Sequence, residues 1–368
     1  QLTGPTGNMV SFSYDGMNNL LSGKNALNYE SRLSYDKLNR VKSYKNAEGY
    51  EISFSYDGNG NITGANLPNG RVLNYTYDNL NRLVAVSDGE GTIGSAAYDK
   101  IGNITSYTNG TGAITTATYD NLNRINSITD PLGNTSSYVY DNNSNIITIT
   151  DREGKTSHYT YDGLNRVATY TDNNGFVITV GYDATSNITS LTDQNNNVTT
   201  YTYDNLNRRK RMTYPDRKYN ELNYDPEGNI SSIRQTDASI ITFQYDTLNR
   251  IIGRSLPGGE VYSFTYDKLN RVLTATNNNG TVTFTYDKLN RVTSEAFDGR
   301  TTSYSYNIAG RVQTITYPDG SVVQKEFDNR NRLIKILKDS VLIVSYAYNN
   351  ANQLTQKTFS NGVSSIMQ

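Results

Sequence analysis

The chain has 368 residues, with 34 basic and 35 acidic side chains and a formal net charge of −1, so no charge excess directs it to nucleic acid or an anionic membrane. It holds no cysteine and a single histidine, which excludes disulfide scaffolds and Cys or Cys/His zinc sites. Only 35% of the residues are hydrophobic, yet 31 tyrosines and a visible excess of asparagine and threonine point to strands and turns rather than to disorder.

The opening stretch, QLTGPTGNMV, carries neither an initiator Met nor a signal-peptide core, which reads as a processed chain or an excerpt of a longer one. From residue 14 a phrase repeats. With the Tyr of each Tyr-Asp as position zero, the series runs Tyr14, Tyr35, Tyr56, Tyr77, Tyr98, Tyr119, Tyr140, Tyr161, Tyr182, Tyr203, Tyr224, Tyr245 and Tyr266, always 21 residues apart. Tyr286, Tyr306, Phe327 and Tyr348 follow after two steps of 20 and two of 21. These 17 units leave almost nothing outside them, so residues 1–368 are expected to form one continuous repeat array, not the two or three domains that length alone suggests.

Each unit begins with a strand. In VLNYTYD, Leu73, Tyr75 and Tyr77 share one face while Asn74 and Thr76 share the other, a period of two. A short polar stretch follows, then an aliphatic residue at plus six (Leu83, Ile104, Ile125, Val167, Ile188) that opens a second strand. The next apolar residue often sits at plus nine, as at Val86 and Tyr107, an odd spacing that predicts a bulge or an early strand end. Plus four is Asn or Gly in 15 of the 17 units, with Ser144 and Ser186 the exceptions. Those residues tolerate positive φ and predict a short hairpin loop built on a type I turn. A second turn, written DPLG at 130–133 or DNNG at 172–175, is expected to be looser. The fold class is therefore all-β: about 34 strands in one long antiparallel sheet of hairpins, which must coil into a spiral or a hollow tube because open sheets rarely exceed about ten strands.

The positions expected to carry this structure are Tyr35, Asp36, Asn39 and Arg40, with their equivalents Tyr77, Asp78, Asn81, Arg82, Tyr119, Asp120, Asn123, Arg124, Tyr161, Asp162, Asn165 and Arg166. The set continues with Tyr203, Asp204, Asn207, Arg208, Tyr245, Asp246, Asn249 and Arg250. At plus five, Asn and Arg alternate from Asn19 to Arg250, which reads as descent from a 42-residue double unit over roughly 14–250; Arg271, Arg291, Arg311 and Arg332 then follow in consecutive units. Each Arg is expected to pair with its turn Asp, a structural role worth about 0–1 kcal/mol where exposed.

The YD-x-x-N/G-R-hydrophobic phrase at this period resembles the YD repeats of Rhs proteins, a family that includes components of insecticidal Tc toxins, bacterial wall-associated proteins and the animal teneurins. The resemblance spans essentially the whole chain. It implies a spiralling antiparallel sheet closed into a hollow shell, often around a toxin polypeptide, on a protein that is secreted or displayed at the cell surface. Neither the DPxG-type core segment linked to self-cleavage nor a variable toxin segment is found, so encapsulation and autoproteolysis fall to no residue here.

No motif asks for a cofactor, a metal or a catalytic residue. His158, in KTSHYTYD, sits in an ordinary strand slot with no supporting constellation. DGNGN, DNNSN and DQNNN place oxygen ligands at alternate positions, but position six of each loop is Ile62, Ile146 or Val198 instead of the Gly a calcium loop requires. The N-x-S/T sequons, Asn61 and Asn103 among them, are turn-and-strand signatures first. LKDSVLIVSYAY at 337–348 leaves two readings, a partner-facing edge or an ordinary hairpin. A parallel β-helix has coils of similar length but does not explain the tight turn after each aromatic pair. The expected function is a non-enzymatic shell segment that encapsulates or delivers a polypeptide cargo; the alternative is an extracellular fibre or adhesin of the same repeats, binding glycans through exposed Tyr and Asn. Expected partners are further repeats of the same or identical chains, an enclosed polypeptide or surface glycans, with no nucleic acid and no membrane span.

Overall fold

The computed structural model describes residues 2–3 and 9–366. Among them are 36 strands and no helix, all in one antiparallel sheet. The chain forms two compact units, one of Gln1–Ala96, Thr108–Ala113 and Ser263–Gln368, the other of Ala97–Tyr107 and Ile114–Tyr262. In each, a strand pairs with its sequence neighbours, as Val72–Tyr77 pairs with Leu83–Asp88 in the first and Thr156–Tyr161 with Val167–Thr171 in the second.

The tight turn has the geometry its residues dictate. Asp78 N–H donates to Arg82 O and Asn81 N–H to Asp78 O, closing a three-residue loop. The plus-four residue is left-handed in all 17 units, from Asn165 at φ 59° to Gly102 at φ 100°, and the two serine exceptions take the same conformation at φ 69°. Directly after the loop, Tyr77 faces Leu83 but Thr76 faces Ala85, so Val84 is an extra residue. The same bulge recurs in the other hairpins, for instance between Thr160 and Tyr161. It explains the plus-six, plus-nine spacing: the bulge turns Val86 onto the face of Tyr75 and Leu83 onto that of Tyr77.

The second turn is not looser, contrary to expectation. Asp130 N–H donates to Asn134 O and Gly133 N–H to Asp130 O, with Gly133 at φ 87°, the same loop with Gly in place of Asn. The 20-residue steps arise where this loop shrinks to two residues, with Asn277 facing Gly280 and Phe297 facing Arg300. At Asp88–Gly91 and Lys338–Val341 the loop is equally short, but a compensating bulge at Ile93 or Ile343 restores the period. Val341–Tyr348 pairs on both sides, so the partner-facing strand reading of 337–348 gives way to an ordinary hairpin.

The wall is one layer thick. Ala65 and Val344 are the only fully buried apolar residues described, and packing comes instead from half-buried aromatics on one face. Tyr159 and Tyr170, opposite each other, pack with ring centroids 5.2 Å apart and planes tilted by 46°, a cross-strand pair worth roughly 0.2–1 kcal/mol. The other face carries hydroxyl rungs: Thr118 to Ser127 at 2.7 Å, Thr160 to Thr169 at 2.6 Å, Thr265 to Thr274 at 2.7 Å. The excess of threonine thus serves a solvated surface, where β-branching favours the strand and the hydroxyl finds a partner.

Candidate functional site: the turn clamp and an ionic seam

The tight turns are clamped by their plus-one residue, an Asp in all but two units, where Asn307 and Asn349 accept the same N–H groups. In the unit of Tyr77, one carboxylate oxygen of Asp78 accepts the N–H of Leu80 and of Arg82, and the other accepts Arg82 Nε at 2.7 Å. Asp36–Arg40, Asp120–Arg124, Asp162–Arg166, Asp204–Arg208 and Asp246–Arg250 repeat the ion pair, while Arg311 departs from the expectation because its turn opens on Asn307, whose Oδ1 accepts the Arg311 N–H at 2.9 Å. An Asn at plus five does the same work without charge: Asn61 Nδ2 donates to Asp57 at 2.9 Å. The hydrogen bonds hold these carboxyls below their usual range, led by the backbone N–H of Arg40 at Asp36 and by the Arg166 side chain at Asp162.

The plus-five side chain also reaches the next unit. Arg40 Nη1 donates to Asp57 O and its guanidinium lies 4.4 Å from the Tyr56 ring centre; Asn61 Nδ2 donates to Asn81 Oδ1 at 2.8 Å. Where plus four is serine, Arg124 and Arg166 donate to Ser144 and Ser186. Position zero links units in the other direction, since the Tyr77 hydroxyl donates to Ile62 O and that of Tyr161 to Ile146 O. Burial raises the Tyr77 and Tyr161 phenols above their ordinary value. Alternation of Arg and Asn therefore leaves the lateral ladder intact. His158, exposed, faces Thr148 and Thr171, with its Nδ1 3.2 Å from Thr148 Oγ1, an ordinary wall residue.

Sequence reasoning missed a second feature. Within the first unit, tight turns of the late repeats lie on second turns of the early repeats. At its centre Asp88 and Arg330, 242 residues apart, each keep 2% of their side-chain surface exposed. Arg330 donates Nε to one Asp88 oxygen at 2.8 Å and Nη2 to the other at 2.5 Å, a bidentate fork. Arg71 adds a contact at 2.9 Å to the same carboxylate, whose pKa is driven far down, chiefly by Arg330. Arg332 reaches Glu90 at 3.1 Å, Lys288 N–H donates to Glu48, and Asn69 Nδ2 donates to Asn329 O. Gly110 closes the line: a side-chain carbon there would stand 2.7 Å from Asn350 O and 3.0 Å from Thr92 O. One signal in the sequence pointed here. Arg330 is the only basic residue at plus three, a slot otherwise held mostly by Leu and other uncharged residues.

Among the described residues no cluster of His, Asp and Glu suits a metal ion, and no helix is long and apolar enough to cross a membrane. Residues 155–308 match the teneurin YD-shell family model, and residues 35–72, 56–93 and 98–135 match the RHS repeat model. The chain is similar in fold to the crystal structure of TcdB2–TccC3–Cdc42, at 14% identity and a TM-score of 0.68 over 97% of this chain and 23% of that one. It is also similar to TcdB2–TccC3 without its hypervariable C-terminal region (14% identity, TM-score 0.58) and to the Photorhabdus luminescens Tc holotoxin pore (14%, 0.57), each over 96% of this chain and 24% of the other. It thus spans about a quarter of the length of those structures. No curated protein matches it.

Proposed function

This chain belongs to the Rhs/YD-repeat family, and from that premise we propose that it is a wall segment, one continuous repeat array that coils into a hollow shell and encloses or delivers a polypeptide. The repeat positions from Tyr35 to Arg250 act structurally: the Asp, Asn and Arg set the turn, and the Tyr staples one unit to the last. Their hydrogen-bonding groups are spent on their own turn and on neighbouring units, which supports a structural role over ligand binding or catalysis. The protein works outside the cell or at its surface.

One observation carries this reading. The ribbon returns on itself in the first unit and seals there through a buried, bidentate ion pair. An open fibre has no need for residues 242 apart to exclude water from each other; a container does. The test is limited proteolysis of the full-length parent product. A segment outside the array should resist protease while the seam is whole and be cut once Asp88→Asn opens it. Equal digestion in both cases would overturn the proposal.

A further inference from the structure

The plus-five arginine does more than close its own turn. In the second unit Arg124, Arg166 and Arg208 lay their guanidinium groups on the next position-zero ring, 4.3, 4.4 and 4.2 Å from the centres of Tyr140, Tyr182 and Tyr224. Nη1 of Arg124 and of Arg166 also donates to the carbonyl of the next turn's Asp, Asp141 or Asp183. Ring and carbonyl together make a seat for a flat cation. Where plus five is asparagine, the chain does not fill that seat. Asn229 Nδ2 is spent on Asp225 and on Asn249 Oδ1, both at 3.0 Å, and among the described residues no cation covers the Tyr245 ring. An open cleft of about 480 Å³ lies between the two turns instead, lined by Asp225, Glu227, Asn229, Tyr245, Asp246 and Asn249 among others.

The charge of this cleft is unbalanced. In an Arg unit the turn is neutral, as Asp246 is with Arg250. The turn of Asp225 has only the uncharged Asn229 on its carboxylate and adds Glu227, exposed and unpaired among the described residues. Arg208, over Tyr224 next door, is already paired with Asp204. The seat is also filled from within the turn, not by a neighbouring stretch of ribbon. Along the seam of the first unit, the rings of Tyr286 and Tyr306 are still covered by the chain's own Arg271 and Arg291, at 4.5 and 4.4 Å.

We propose that the cleft over Tyr245 binds a guanidinium group supplied from outside the chain. That group lies on the ring, donates to Asp246 O and faces the carboxylates of Asp225 and Glu227, as the Arg units do with their own side chains. Arginine suits the seat better than lysine, because its plane stacks on the ring while its edge donates. Occupancy leaves the wall intact, since the Tyr245 hydroxyl keeps its bond to Ile230 O and the ring face takes no part in the turn.

The experiment is a saturation-transfer NMR titration of the intact 368-residue chain with two probes. One is N-acetyl-L-arginine amide, the other a glycine–serine peptide carrying one arginine. Both should bind saturably, and Glu227→Gln should weaken binding about two- to fivefold. Asn229→Arg rebuilds an Arg unit, so it should fill the seat from within, abolish binding and melt no lower than wild type. Asn187→Arg adds the same charge one double unit away, where Arg209 already faces Tyr203, and should leave affinity within about twofold. Tighter binding of the peptide assigns the seat to a polypeptide partner, and equal binding to a free guanidinium compound. No transfer to either probe overturns the proposal. So does binding that survives both Asn229→Arg and Glu227→Gln, or that Asn187→Arg removes equally.

Discussion

Replacing Asp88 with asparagine should open the seam. The substitution keeps volume and removes charge, leaving the Arg330 guanidinium buried with its main counter-ion gone. Removing one partner of a buried pair costs about 3–5 kcal/mol. Here Glu90 stays 3.2 Å from Arg330 Nε and the wall is one layer thick, so water is close; we take about 2–3 kcal/mol. The double change Asp88→Asn with Arg330→Leu places leucine, the common residue at plus three, in the slot. It should recover at least ~1.5 kcal/mol of that loss, since a buried pair replaced by apolar groups is often near neutral. The readouts are urea unfolding and hydrogen exchange of the amides at 88–92 and 328–332, which should quicken together in Asp88→Asn and not in the double variant. An Asp88→Asn chain within about 0.5 kcal/mol of wild type, with unchanged exchange at both turns, would refute the assignment of the seam to this pair.

Tyr161→Phe removes the hydroxyl bond to Ile146 O and should cost about 0.5–1.5 kcal/mol in denaturant unfolding, a modest loss in keeping with Phe327 occupying position zero in its own unit. Ala238 holds the left-handed second-turn position at φ 70° where most units have glycine, so Ala238→Gly should raise stability by up to ~1 kcal/mol, read as a higher urea midpoint. Gly110→Ala should weaken the seam alone, with faster exchange at 88–92 and little change elsewhere, because the new methyl meets backbone atoms that cannot turn aside. The pH profile has two flanks. Carboxyls such as Asp36 and Asp162 have folded pKa values below the unfolded ~3.9, so their contribution is full above that pH and lost as pH falls through the folded values. Tyr77 and Tyr161 have folded pKa values above the unfolded ~10, so theirs is full below that pH and lost as pH rises past the folded values. Thermal melts from acid to alkali should show a plateau between these flanks.

The hairpin was legible because its physics is local. A left-handed residue four places after each aromatic, an Asp opening the turn, and the plus-six, plus-nine spacing each constrain a few consecutive residues, and the bulge at Val84 follows from that spacing. The second turn was misjudged because its sequence varies, from DPLG to YPDR, while its hydrogen bonds do not: Tyr214 N–H donates to Lys218 O just as Asp130 N–H does to Asn134 O. Only the φ values, including φ 64° at Arg217, show that the loop is one and the same. The seam lay further out of reach. Nothing near Asp88 announces a partner 242 residues away, and the pair is visible beforehand only as one arginine out of place at plus three.

That misplaced arginine works as an indexing pin. Every other tight turn is nearly interchangeable with its neighbours, so a ribbon of identical tips could slide along its own rim one notch at a time. Arg330 fits one socket, the carboxylate of Asp88 flanked by Arg71. Deleting or duplicating a single unit between them would present Ala351 or Ala309 to that socket, so this one ion pair fixes which tight turn meets which second turn.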